Sequence, residues 1–159
     1  MRLTIAEIGV GQGRVGLCAM PGRAGFYAAD LITLRHWQPA LVITFTTAEE
    51  LHHIAPDLPH DLAEAGIGWA HLPIPDYGIP GPAWDDISRR SHVALAKANK
   101  VLLHCMGGCG RSGSAALRLM VEAGEPPEAA LARLRQARPC AVETAEQFAW
   151  ASGQTGSNR

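Results

Sequence analysis

Residues 101–113 read V-L-L-H-C-M-G-G-C-G-R-S-G. The stretch opens on VLLH at 101–104, a short apolar run that suits a strand covered on both faces. Gly107, Gly108 and Gly110 then turn the chain. From Ser112 the pattern predicts a helix to about Ala123, stopped by Gly124 and the Pro126-Pro127 pair. The order of strand, glycine-rich turn and helix predicts an α/β domain with this strand at its centre.

Outward from that segment, strands are predicted over 2–8, 14–20, 41–45 and 67–72. Helices are predicted over 25–37, from Ala48, and over 60–65, 83–98, 128–137 and 145–151. Thr47 and Glu50 fit a capping box, as do Thr144 and Gln147. Residues 73–82, PIPDYGIPGP, are too rich in proline and glycine for regular structure. Strands alternating with helices predict one domain over 1–151, with a central, mostly parallel sheet of four or five strands flanked by helices. Residues 152–159 read as a flexible tail.

The chain has 159 residues, 47% hydrophobic and 18% charged, with a formal net charge of −1. No global basic field would recruit nucleic acid or an acidic membrane, so any anion site must be local. No apolar run is long enough to span a bilayer, and the first residues lack the apolar stretch of a secretory signal. A cytoplasmic location is expected, with Cys18, Cys105, Cys109 and Cys140 as free thiols. Cys105 and Cys109 are a lone C-x3-C, which is not a zinc pattern, and no metal or cofactor is expected.

Glycines let successive backbone N–H groups face one centre, and with the following helix N-terminus they form an anion nest. The expected phosphate cradle is Met106, Gly107, Gly108, Cys109, Gly110 and Arg111. A thiol at Cys105 beside such a nest is expected to ionise readily and act as nucleophile. Arg111 can clamp two phosphoryl oxygens. Ser112 can cap the helix, bond the Cys105 sulfur, or do both. An attack on phosphorus needs an acid for the departing oxygen. Asp76, in the 73–82 loop, is the candidate, with Asp85 and Asp86 as helix-start residues instead.

The motif H-C-M-G-G-C-G-R-S-G resembles the H-C-x5-R-[ST] signature of the cysteine-based protein tyrosine and dual-specificity phosphatases. The wider pattern is similar to the branch holding the cyclin-dependent-kinase-associated and Cdc14-like enzymes. P-I-P-D-Y-G-I-P-G resembles that branch's acid loop, which implies Asp76 as general acid. R-P-C-A-V-E-T-A-E-Q, 138–147, resembles its late loop, which implies that Gln147 orients the hydrolytic water. The family often carries glycine where Cys140 stands. The resemblance implies metal-independent hydrolysis of phosphate monoesters, phosphotyrosine and phosphoserine or phosphothreonine in proteins, with inorganic phosphate or other oxyanions as active-site ligands.

Other readings stay open at this level. Gln147 is equally a helix cap. His104 supports the loop through hydrogen bonds, or acts as a base. Cys109 is either a tolerated loop residue or the partner of an oxidised Cys105. Gly11, Gly13 and Gly16 spell G-x-G-x-x-G, but a strand and a break follow where a dinucleotide site needs a helix. A sulfurtransferase, a phosphoprotein-binding module, or a phosphatase of nucleotides, phosphoinositides or RNA ends would each use a similar loop. Residues 106–110 hold no lysine or second arginine, which favours a monophosphate ester.

Overall fold

The computed structural model describes residues 3–153. Its elements are β1 (Ala6–Val10), β2 (Gly13–Cys18), α1 (Tyr27–Trp37), β3 (Leu41–Thr44), α2 (Ala48–Ile54), α3 (Leu58–Glu64), β4 (Gly68–His71), α4 (Trp84–Ala96), β5 (Lys100–His104), α5 (Gly110–Glu122), α6 (Pro127–Ala137) and α7 (Ala145–Ala151). The strands form one sheet in the order β1-β2-β5-β3-β4. Four run parallel, and β1 folds back antiparallel along one edge.

β5 lies in the middle because it is apolar toward both faces. Val101 and Leu103 join a core built with α4 to α7, including Ile87, Leu117, Leu134 and Trp150. Leu102 joins the opposite core, built with α1 to α3 through Leu34, Leu51, Leu58 and Leu62. β3 divides in the same way, Leu41 and Ile43 to one side and Val42 to the other. Two covered faces are why both strands read as unbroken apolar runs.

The glycines of the dinucleotide-like pattern build the β1–β2 hairpin. Gly11 takes the turn at φ 58. A Cβ on Gly13 would strike the Asn99 carbonyl, and one on Gly16 would come within 2.7 Å of the Trp37 ring. The first two strands are displaced from the expected 2–8 and 14–20. β2 ends at Cys18, and the Met20 N–H leaves the sheet for the Met106 carbonyl at 3.0 Å. Of the expected tail, residues 154–159 lie outside the described residues, as does Arg2 of the first strand. Ser152 and Gly153 still bond back to Phe148 and Trp150, a turn that closes the end of α7, with Gly153 at φ 83.

Parallel strands share one carboxyl edge, where α/β folds place their crevice. Past that edge β5 leads to Cys105, β3 to Glu50, β4 to Asp76 and β2 to Arg23.

Candidate active site

The loop after β5 bounds a cavity of about 250 Å³ lined by Cys105, Met106, Gly107, Cys109, Gly110 and Arg111. Among the described residues, the main-chain N–H groups of Met106 through Gly110 donate to no main-chain acceptor. Arg138 shows why the loop holds that shape. Its Nε donates to the Gly108 carbonyl at 3.0 Å and its Nη2 to the Gly107 carbonyl at 2.8 Å. A planar trans peptide points its C=O and N–H in opposite directions. Arg138 therefore draws two carbonyls to one side and turns the next two N–H groups to the other. Gly108 is at φ 74, and a Cβ there would stand 2.6 Å from the Cys18 carbonyl.

α5 begins at Gly110, two residues before the expected start, so Ser112 is not the cap. It sits in the first turn, and its hydroxyl lies 3.2 Å from the Cys105 sulfur. Both residues are buried.

Arg111 is 2% exposed. Its Nη1 and Nη2 donate to the two carboxylate oxygens of Glu50, at 2.8 and 3.1 Å, and Nη1 also donates to the Ile74 carbonyl at 2.9 Å. The Glu50 carboxylate accepts from the Thr47 N–H as well, so the capping box and the arginine clamp share one side chain. The Arg111 hydrogen bonds and the Thr47 N–H hold its pKa down at about 2, against a smaller opposing cost of burial. Glu50 is a site residue that its sequence signal, a helix cap, did not reveal.

Asp76 lies at the cavity rim with its side chain 60% exposed. Its Oδ1 is 3.6 Å from Arg111 Nη2 and accepts the Tyr77 N–H at 3.0 Å. Tyr77 follows at φ 64, an uncommon conformation for a residue with a side chain. Asp85 and Asp86 occupy the first turn of α4, as read from the sequence.

His104 supports the loop from beneath. Trp69 Nε1 donates to the Thr44 hydroxyl at 2.8 Å, and that hydroxyl lies 2.6 Å from His104 Nε2. The Cys105 carbonyl, 3.4 Å from Nδ1, can only accept, so a neutral ring carries its hydrogen on Nδ1 and its Nε2 accepts the Thr44 hydroxyl proton. Burial, with the nearby positive charges, pushes the His104 pKa down to about 4 despite that carbonyl. The ring is therefore neutral near pH 7.

The late loop corrects the cysteine reading. Cys109 and Cys140 form a disulfide, with Cα atoms 5.1 Å apart. Only Cys18 and Cys105 are free thiols. Cys109 is thus not available as the partner of an oxidised Cys105. The cause is the turn at 138–141, where the Ala141 N–H bonds the Arg138 carbonyl, followed by the Val142 N–H bonding the Cys109 carbonyl at 3.1 Å. These bonds lay the late loop directly on Cys109. Burial pushes the Cys18 thiol well above its ordinary range.

Gln147 is buried. Its Oε1 accepts from the Glu143 and Thr144 N–H groups, at 2.8 and 3.1 Å, and its Nε2 donates to the Gly78 carbonyl at 3.3 Å. It caps α7 and ties the late loop to the acid loop. Glu143, four residues earlier, lines the cavity, and a Cβ on Gly110 would collide with its carboxylate. Arg138 and Glu143 lie in the late loop read from the sequence, but that reading gave a role to Gln147 alone, and it gave none to Arg23.

Residues 25–151 match the family described as Swiss Army Knife protein, DSP-PTPase phosphatase domain. The mouse protein named cyclin-dependent kinase inhibitor 3 is 34% identical over 145 residues, covering 84% of this chain and 68% of the mouse protein. A crystal structure of kinase associated phosphatase, with serine substituted for its catalytic site cysteine, has a TM-score of 0.86 at 26% identity. It covers 99% of this chain and 97% of that one. Tk-PTP in its active form has a TM-score of 0.75 at 31% identity, covering 91% and 92%. Among the described residues no helix is long and apolar enough to cross a membrane. With this motif on this fold, the chain belongs to the cysteine-based dual-specificity protein phosphatases, in the branch of the cyclin-dependent-kinase-associated enzymes.

Proposed function

We propose that the chain hydrolyses phosphate monoesters of proteins, on tyrosine and on serine or threonine, through a phosphoryl group carried on Cys105. The observation that supports this most is the Cys105 sulfur in a cavity walled by unpartnered N–H groups and by a guanidinium already oriented by Glu50. Such donors fit the three oxygens of a phosphoryl group, and fixed donors stabilise developing charge without reorganising. The names of the relatives make a phosphorylated protein kinase the first substrate to test.

In the first step the Cys105 sulfur bonds to phosphorus while the phosphorus–oxygen ester bond breaks. Asp76 gives its proton to the departing oxygen. In the second step water attacks phosphorus, the phosphorus–sulfur bond breaks, and the water proton passes to Asp76. The Ser112 hydroxyl, 3.2 Å from the sulfur, stabilises it as it leaves. Met106, Gly107, Gly108, Cys109, Gly110 and Arg111 hold the phosphoryl oxygens throughout. Glu143 faces the cavity and is assigned to orient the water, and Gln147 is assigned to hold the two loops together.

The test is a panel of phosphopeptides, nucleotides and phosphoinositides with wild-type protein and Cys105→Ser. Turnover of phosphopeptides that disappears in the variant, while orthovanadate or phosphate still binds, is the expected result. Near wild-type turnover by Cys105→Ser refutes the reading.

A further inference from the structure

The loop around Cys105 contains one arginine, yet the fold brings others to it from distant segments. Arg138 is engaged by the Gly107 and Gly108 carbonyls, and Arg111 by Glu50. Arg23, in the loop between β2 and α1, is different. Its Nη1 stands 3.1 Å from where a Cβ on Gly107 would be, so the guanidinium rests against the main chain of the Cys105 loop. Its side chain is exposed, and among the described residues it enters no ion pair.

Arg23 lines two cavities. One is the cavity over Cys105, and the other, of about 340 Å³, has Met20, Ala24 and Arg138 in its wall. Asp30 is the acid in that second wall, but both its oxygens are in use. They accept the Leu3 N–H at 3.2 Å and the Gly22 N–H at 2.8 Å. A free cation held beside two others, next to an anion cradle, is stabilised by a further negative group. Asp76 and Glu143 line the cavity over Cys105 as well, but neither is within ion-pair distance of Arg23, and Asp76 is nearest Arg111.

We infer that Arg23 forms a second anion subsite, which takes a carboxylate or a second phosphate on a residue close in sequence to the phosphorylated residue of a peptide substrate. The inference rests on the function proposed above. An extended peptide advances about 3.3–3.6 Å per residue, so a neighbouring side chain comes within reach of a guanidinium at the cavity wall. The second cavity then receives the chain beyond the phosphorylated residue.

The test uses three phosphopeptides of one sequence, in which the neighbouring position carries a neutral residue, glutamate or phosphoserine. The expected wild-type result is a kcat/KM roughly fivefold higher for either anionic peptide, the size of a partly exposed ion pair. That preference should shrink as ionic strength rises. Arg23→Gln should bring the ratio close to one, and Arg23→Lys should keep part of it. Equal kcat/KM for all three peptides with wild type, or an unchanged ratio in Arg23→Gln, overturns the subsite and leaves the phosphatase reading standing. Preference for a soluble inositol bisphosphate over every peptide, lost in Arg23→Gln, overturns the peptide assignment. Absence of Cys105-dependent turnover on every substrate overturns both.

Discussion

Glu50 grips Arg111 from behind with both carboxylate oxygens, at 2.8 and 3.1 Å. The pair joins the helix after β3 to the helix after β5. Removing the carboxylate leaves a buried guanidinium with the Ile74 carbonyl as its remaining hydrogen-bond acceptor and the exposed Asp76 at 3.6 Å. Glu50→Ala should cost about 2 kcal/mol in urea unfolding, the range for hydrogen bonds to charged groups. It should also lower kcat/KM by at least roughly tenfold, through a displaced Arg111. Wild-type values for both would show that the pair neither stabilises the fold nor orients the site.

The same pair predicts acid behaviour. A carboxyl held at about 2 in the fold, below its unfolded value, adds stability that is fully present above the unfolded pKa. That contribution fades as pH falls toward 2. The difference in unfolding free energy between wild type and Glu50→Gln should therefore be largest near neutrality and narrow below about pH 4.3.

His104 acts on a higher window. Its folded pKa of about 4 lies under the unfolded value, so the unfolded chain takes up a proton first on acidification. The His104 contribution should decline as pH drops from about 6.5 toward 4, by up to about 3 kcal/mol, and then level off while that of Glu50 goes on fading. Urea titrations across that range with wild type and His104→Gln would expose the contribution as a slope absent from the variant.

Glu143 and Gln147 should separate kinetically. Glu143→Ala should slow the breakdown of the phosphoenzyme, so that an aryl phosphate gives a burst of phenol followed by a slower steady rate. Gln147→Ala should instead cost about 1 kcal/mol through the lost helix cap. A burst in Gln147→Ala and none in Glu143→Ala would reverse the two assignments.

The disulfide gives a fifth contrast. A bridge between positions 31 apart in sequence should stabilise by about 3 to 4 kcal/mol in the loop-entropy picture. Cys140→Ala or a reductant should lower the unfolding midpoint accordingly. Peptide mapping after mild peroxide should find no link between Cys105 and Cys109 in the oxidised protein.

Much of this was legible because it is local. The run VLLH, the three glycines, Cys105 and Arg111 lie within eleven residues, and their chemistry is set by adjacency. Both capping boxes were legible for the same reason. A box accounts for one use of a carboxylate or amide, however. It left hidden that Glu50 has a second oxygen for Arg111, and that capping with the tie to Gly78 engages the Gln147 amide on both sides. Cys140 meets Cys109, and Arg138 meets two carbonyls, only once α6 has returned the chain to the loop. Donors to main-chain carbonyls leave no spacing to read. Arg23 escaped because a count restricted to residues 106–110 cannot register a cation delivered from the loop between β2 and α1.

The bridge from Cys109 to Cys140 also makes α5 and α6 part of a covalent ring. A protease that cuts the connection near Glu125, between these helices, would open that ring without freeing either fragment. Nicked protein would migrate as one band on a gel run without thiol and as two once dithiothreitol is added.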